Sequence, residues 1–330
     1  MSGKSVLLAI TIDTEQDCDS QWRMPMPLGF RSVTEGVPKV LQPLFAKYGA
    51  RPTYLLSPSV LKDDESMVTL SGLGEEAELG THLHGEFIEP GPTRRNGSSA
   101  ATNDMECFYE EAVERGKLAA LTQLFRERLG YAPSSFRAGR FAASARTLRL
   151  LDSLSYTVDS SVTPRVVWAD PQGTLDFSHA PEQPYRPSAD DVCRPGGLSI
   201  LEVPVTTAPS WACRSRLAGR LTRAASPLSQ RLARRLAAPV WLRPSFASRR
   251  AMLGAIDYHV QTYSGAGLVA LTMMFHSVEV IAGASPYALR GQDVQRLIDR
   301  IAVVLRHCRA AGVEFVTLSE MHRRFAVSDV

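Results

Sequence analysis

Cysteine is scarce in this sequence, and its placement excludes the usual structural uses of the residue. Cys18, Cys107, Cys193, Cys213 and Cys308 are odd in number, widely scattered and never in CxxC spacing, which argues against a disulfide framework or a zinc ribbon. The apolar run in "MSGKSVLLAITIDTEQD" is too short, and too closely followed by acids, for a signal peptide or a membrane span, so residence in the cytoplasm is expected. There is no internal repeat and no glycine-rich strand-to-helix turn of the dinucleotide-binding kind.

Acidic residues are missing altogether from Val203 to Ile256, whereas ten arginines fall between Arg214 and Arg250. The net charge of +3 thus conceals a basic stripe on a mildly acidic remainder. In "RSRLAGRLTRAASPLSQRLARRLAAPVWLRPS" the arginines interleave with Leu and Ala at helical spacing, and Trp241 is the one aromatic residue. That stretch offers no stacking platform for bases, which argues against nucleic acid as a partner. It reads as a basic helical insertion over 214–250, either solvated or in peripheral contact with an anionic membrane.

What is present is an ordinary globular composition: 330 residues with 44% hydrophobic content are enough to bury a full core. Apolar runs predict strands at 5–13, 52–60, 77–84, 135–140, 156–161, 198–207, 268–279 and 314–318. Helical spacing predicts helices at 37–49, within 105–130, and at 144–156, 249–263 and 293–312. This alternation predicts a parallel α/β fold, a distorted (β/α) barrel of TIM-like type. Residues 165–197 and 208–250 read as insertions on a single domain spanning 1–330.

Reactive residues gather at the ends of these strands: Asp13 and Glu15, His82 and His84, Arg137 and Arg140, Asp159, and His276. In a parallel barrel the carboxyl ends of all strands share one rim, so residues distant in the chain converge there. "TIDTE" places two carboxylates at i and i+2 on one strand face, where one could bind a cation and the other accept a proton from water. "GTHLHGE" places His82 and His84 on one face, two residues before Glu86, a spacing suited to metal ligation. His276 closes an otherwise apolar strand and suits a general acid; Arg137 suits orientation of a carboxylate.

The set resembles the polysaccharide deacetylases of carbohydrate esterase family 4. The segments "TIDTE", "ELGTHLH", "FRAGR", "YTVDSS" and "FHSVE" are similar, in order, to the five motifs of that family. The resemblance implies metal-assisted removal of an N-acetyl group from a sugar of a glycan or glycan precursor. It implies Asp13 as catalytic base, His276 as general acid, Arg137 as the residue that orients the base and Asp159 as the acid that tunes His276. It further implies a divalent ion, zinc being expected, held by Glu15, His82 and His84, with Glu86 competing as third ligand. The sequence departs from the family where Glu15 lies one residue beyond the common Asp-Asp pair, where Glu86 occupies the place of the second metal histidine, and where Gly139 replaces a proline. Two other readings stand beside this one: a metal-free amidohydrolase acting on a small cyclic amide, and a glycan-binding protein without turnover.

Overall fold

The apolar run at the start of the chain forms β1 (Ser5–Thr14) in a computed structural model that describes residues 5–92, 105–210 and 238–328. Alternate residues of β1 meet two different cores. Leu8, Ile10 and Ile12 pack toward the surrounding helices, whereas Leu7 and Ala9 pack inside the curled sheet with Leu55, Val158 and Ala270. Burial on both faces explains why the strand, after the half-buried Ser5, carries no polar residue before Thr11 and Asp13, which continue the inner face.

A π-helical segment (Ser32–Leu41) runs on into α1 (Gln42–Tyr48), and Gly49 ends it in the left-handed conformation at φ 66°, the stop its sequence signals. β2 (Thr53–Leu56) is shorter than the run predicted at 52–60, because Pro58 opens α2 (Pro58–Lys62), followed by α3 (Asp64–Ser71). Next come β3 (Glu78–Leu83), α4 (Glu111–Leu129), β4 (Ser135–Ala138), α5 (Ala145–Ser153) and β5 (Val158–Asp159), alternating as expected. The insertion at 165–197 contains an antiparallel hairpin, β6 (Val167–Asp170) with β7 (Gly173–Asp176), and leads to β8 (Leu201–Glu202). β9 (Thr207–Ala208) pairs antiparallel with β10 (Val240–Trp241). α6 (Arg249–Thr262), β11 (Leu268–His276), α7 (Gly291–Ala310), β12 (Glu314–Val316) and α8 (Leu318–Ser328) complete the order.

Eight parallel strands form one curled sheet in the order β11-β1-β2-β3-β4-β5-β8, with β12 beside the first part of β1 and β2 beside the last. The result is the expected distorted (β/α) barrel, left open as a half-barrel. Irregular chain bridges the seam between β8 and β11: Thr206 N–H donates to Thr272 O at 3.1 Å, and Leu242 N–H donates to Thr206 O at 2.9 Å. Of the predicted basic helices, 211–237 lies outside the described residues. The remainder corrects the expectation, since Val240–Trp241 is a strand, Arg243 is only 4% exposed and helix begins at Arg249. Among the described residues no helix is long and apolar enough to cross a membrane.

β3 and β4 approach so closely at Gly80 that a methyl group there would lie 2.7 Å from Ser135 O and 2.9 Å from Leu55 Cδ2. Gly80→Ala is therefore expected to destabilise the protein by about 1–3 kcal/mol. Urea unfolding should show a lower midpoint at an unchanged m value.

Candidate active site

Parallel pairing sets Asp13 beside His276 and His82 beside Arg137 in register, so four segments meet at one rim. Arg137, fully buried, donates from Nη1 to Asp13 Oδ1 at 2.7 Å, from Nη2 to Thr11 Oγ1 at 2.8 Å and Ser160 Oγ at 2.9 Å, and from Nε to Ser160 O at 2.7 Å. Burial pushes the Asp13 carboxyl up, but Arg137, His82 and His276 outweigh it and hold Asp13 below its usual range. Asp13 is thus an anion fixed at one oxygen, with Oδ2 on the side of His276.

Glu15 Oε1 lies 3.1 Å from His82 Nε2 and 3.2 Å from His84 Nε2. The three ligand atoms all fall within 4.8 Å of one another. His82 Nδ1 is 3.0 Å from Arg137 O, a carbonyl that can only accept, so the proton sits on Nδ1 and the Nε2 lone pair points at Glu15. A lone pair aimed at a carboxylate demands a proton or a cation between them. His84 shows the same demand: burial works against its charge, yet Glu15 and Glu86 push the imidazole up to about 10. One carboxylate and two imidazoles, each imidazole backed by an oxygen at Nδ1, fit a divalent ion such as zinc. Glu86 is set behind His84, 3.3 Å from its Nδ1, and accepts from Arg140 Nη2 at 2.9 Å. Its place is that of a support for His84, outside the converging set.

His276 Nε2 stands 3.9 Å from both Asp13 Oδ2 and Glu15 Oε1. The carboxylate against its other nitrogen is Glu279, not Asp159, with Nδ1 to Oε1 at 3.0 Å. Asp159 fails to reach His276 because of strand parity: Val158 faces the inner core, so its neighbour Asp159 points to the other face, level with Phe136 and Glu202. There it accepts from Ser161 Oγ at 2.6 Å and shares a buried site with Glu202. Burial, and then the nearby Asp159, push Glu202 well above the usual carboxylate range, so Glu202 keeps its proton in the fold.

A raised folded pKa contributes stability that is complete below the unfolded value, about 4.3, and is lost as pH rises toward the folded one. Glu202→Gln removes that loss while keeping a donor toward Asp159 and an acceptor for Val162 N–H, now 3.0 Å from Oε1. It is expected to stabilise the protein at pH 8 by about 1 kcal/mol, or roughly 1–2 °C in Tm, and to have little effect at pH 4. Thermal melts of both proteins across that range check the slope.

Beside these groups opens a cavity of about 270 Å³ whose apolar wall includes Trp22, Met24, Phe141, Trp168 and Tyr287. Trp22, Arg140 and Phe141 all line it with positive φ of 60°, 54° and 58°, a conformation that costs non-glycine residues energy and gathers at functional sites. Ring contacts run from Phe141 through Trp168, Trp241, Phe246 and Tyr287 to Trp22 and His276. Sequence reasoning brought together Asp13, Glu15, His82, His84, Arg137 and His276. It missed Glu279, although a carboxylate three residues after a strand-end histidine was a usable signal, and Arg243, which the basic stripe concealed.

No family model and no curated protein matches the sequence. Solved structures match along nearly the whole chain. A candidate glycoside hydrolase/deacetylase from Parabacteroides distasonis is 14% identical, with 98% of this chain and 71% of that one covered and a TM-score of 0.63. A candidate polysaccharide deacetylase from Mycobacterium smegmatis is 14% identical, with 99% and 92% covered and a TM-score of 0.51. The Puue allantoinase is 14% identical, with 99% and 93% covered and a TM-score of 0.54.

Proposed function

We propose, from the premise that the chain has the fold of the polysaccharide deacetylases, that it is a metal-dependent hydrolase that removes the N-acetyl group from a sugar of a glycan or glycan precursor, in the cytoplasm and as a single domain carrying two insertions. The observation that carries the proposal is the convergence of Glu15, His82 and His84 beside an ionised Asp13 clamped by Arg137.

A divalent ion on Glu15, His82 and His84, zinc by the chemistry of the set, would supply a Lewis acid for the amide carbonyl and a more acidic water. Asp13 then takes the proton of the attacking water at Oδ2, since Oδ1 is engaged by Arg137. Arg137 keeps Asp13 in place through its further bonds to Thr11 and Ser160. His276 gives the proton from Nε2 to the departing sugar amine, across the same small space. The aromatic wall suits the apolar face of a sugar ring and excludes water from the reacting amide.

The likeness to an allantoinase favours one other reading, hydrolysis of a small cyclic amide, which would then proceed here without a metal. One assay separates them. Purified, zinc-loaded protein is offered N-acetylglucosamine oligomers, nucleotide-linked N-acetylhexosamines and allantoin, and acetate release and ring opening are measured before and after chelation. Acetate release that stops on chelation and returns with zinc is the expected result. Ring opening that survives chelation, with no acetate from any sugar, would establish the other reading.

A further inference from the structure

We propose that Glu279, held in place by Arg243, is the positioning residue that fixes the ring orientation and the tautomer of His276; the kinetic consequence, though not the geometry, rests on the deacetylase reading. Glu279 lies on the helical turn Ser277–Val280 that follows β11, three residues after His276, and is fully buried. Its Oε1 is 3.0 Å from His276 Nδ1 and 3.3 Å from Arg243 Nη2. Arg243 enters from the far side of the seam. Leu242, which precedes it, accepts from Met274 N–H at 3.3 Å and donates to Thr206 O at 2.9 Å, so the backbone that carries Arg243 is tied to β11 itself. The guanidinium lies 4.0 Å from the centre of the Phe246 ring and 5.2 Å from that of Tyr287, which leaves it little freedom to turn away. On the other side Trp22 meets the His276 ring edge-on at 5.7 Å.

Two proton arrangements satisfy these distances, and they predict opposite tautomers. Arg243 Nη2 also approaches His276 Nδ1 at 3.1 Å. Were Nδ1 bare, Arg243 would donate to it and a neutral ring would carry its proton on Nε2. With an ionised Glu279, both Arg243 and Nδ1 donate to Oε1, and Nε2 alone remains to exchange a proton with the cavity. The second arrangement is favoured. Arg243 is always a cation, is only 4% exposed and has Glu279 as its carboxylate partner at 3.3 Å, so the buried guanidinium requires Glu279 as an ionised counter-charge; burial pushes the carboxyl up, yet it is accordingly held below its usual range. A carboxylate so placed keeps Nδ1 protonated through the whole cycle and leaves Nε2 facing Asp13 Oδ2, where a departing amine would collect its proton.

The test is ¹⁵N-histidine NMR on the full-length protein at neutral pH, with the His276 signals identified by their loss in His276→Gln. The wild type should show Nδ1 protonated; an unprotonated Nδ1 would overturn the proposal without reference to any substrate. Glu279→Gln should lose part of that protonation and lower kcat about 10–100-fold with KM within roughly twofold. Unchanged tautomer and kcat in this variant would also overturn it. Should Glu279→Gln not fold, Arg243→Lys leaves Glu279 in place and must shift the same signal in the same direction. A wild type that releases no acetate counts against the deacetylase reading alone, because the tautomer is read without turnover.

Discussion

Asp13→Asn is expected to slow acetate release by about 10²–10⁴-fold while zinc content stays at one ion per chain. The reason lies in which oxygen does what. Asn keeps a carbonyl oxygen that can accept from Arg137, so the clamp survives in shape, but the group on the Oδ2 side can no longer take a proton from water. The side chain is outside the Glu15–His82–His84 set, so metal affinity has no reason to fall. Stability does fall, because a fully buried Arg137 loses its counter-charge; the loss is about 3 kcal/mol, since Thr11 and Ser160 still accept from the guanidinium. Elemental analysis, thermal melts and acetate assays on the same preparation separate these effects. A variant that hydrolyses at the wild-type rate would remove Asp13 from the chemistry.

The double variant His82→Ala, His84→Ala is expected to carry no zinc and to lose activity by at least about 10³-fold, with no recovery on adding metal. Both imidazoles present Nε2 to one oxygen of Glu15, so deleting both leaves a single carboxylate, too few ligands for a bound ion. Wild-type protein stripped by chelation should melt at a lower temperature than the loaded form and regain the difference with zinc, because an ion that binds only the folded state stabilises it by mass action. The double variant should show no such shift. Equal zinc content in the two proteins would dissolve the proposed centre, whatever the assays report.

How far the sequence foretold the site depended on strand parity. "TIDTE" and "THLH" each place two polar residues at i and i+2, and any strand sends such a pair to one face, so Asp13 with Glu15 and His82 with His84 were legible without knowing the fold. Asp159 was not, because β5 is a two-residue strand in the run "VDSSV", where several polar residues compete for the inner face and Ser160 takes it. Pro58 was read as lying within a strand although it opens a helix, since an apolar run of that length does not by itself distinguish the two. Arg243 was hidden for a different reason: it shares its composition with a basic stripe and owes its role to a seam that only tertiary pairing creates.

That seam has a consequence for how the protein could diversify. The side chains proposed to move protons and hold the ion stand on barrel strands and the turns that leave them, whereas part of the cavity wall arrives on an added loop, Trp168 on the β6–β7 hairpin, with Trp241 of β10 packed against it. That part of the wall is therefore written on a stretch of chain separate from the reactive groups, and it could be exchanged without rewriting them. Arg243 is the exception, a loop residue that reaches His276, the proposed proton donor. A transplanted loop lacking it would change what enters the cavity and unsettle His276 in one step, tying the evolution of the wall to that of the catalyst at a single guanidinium.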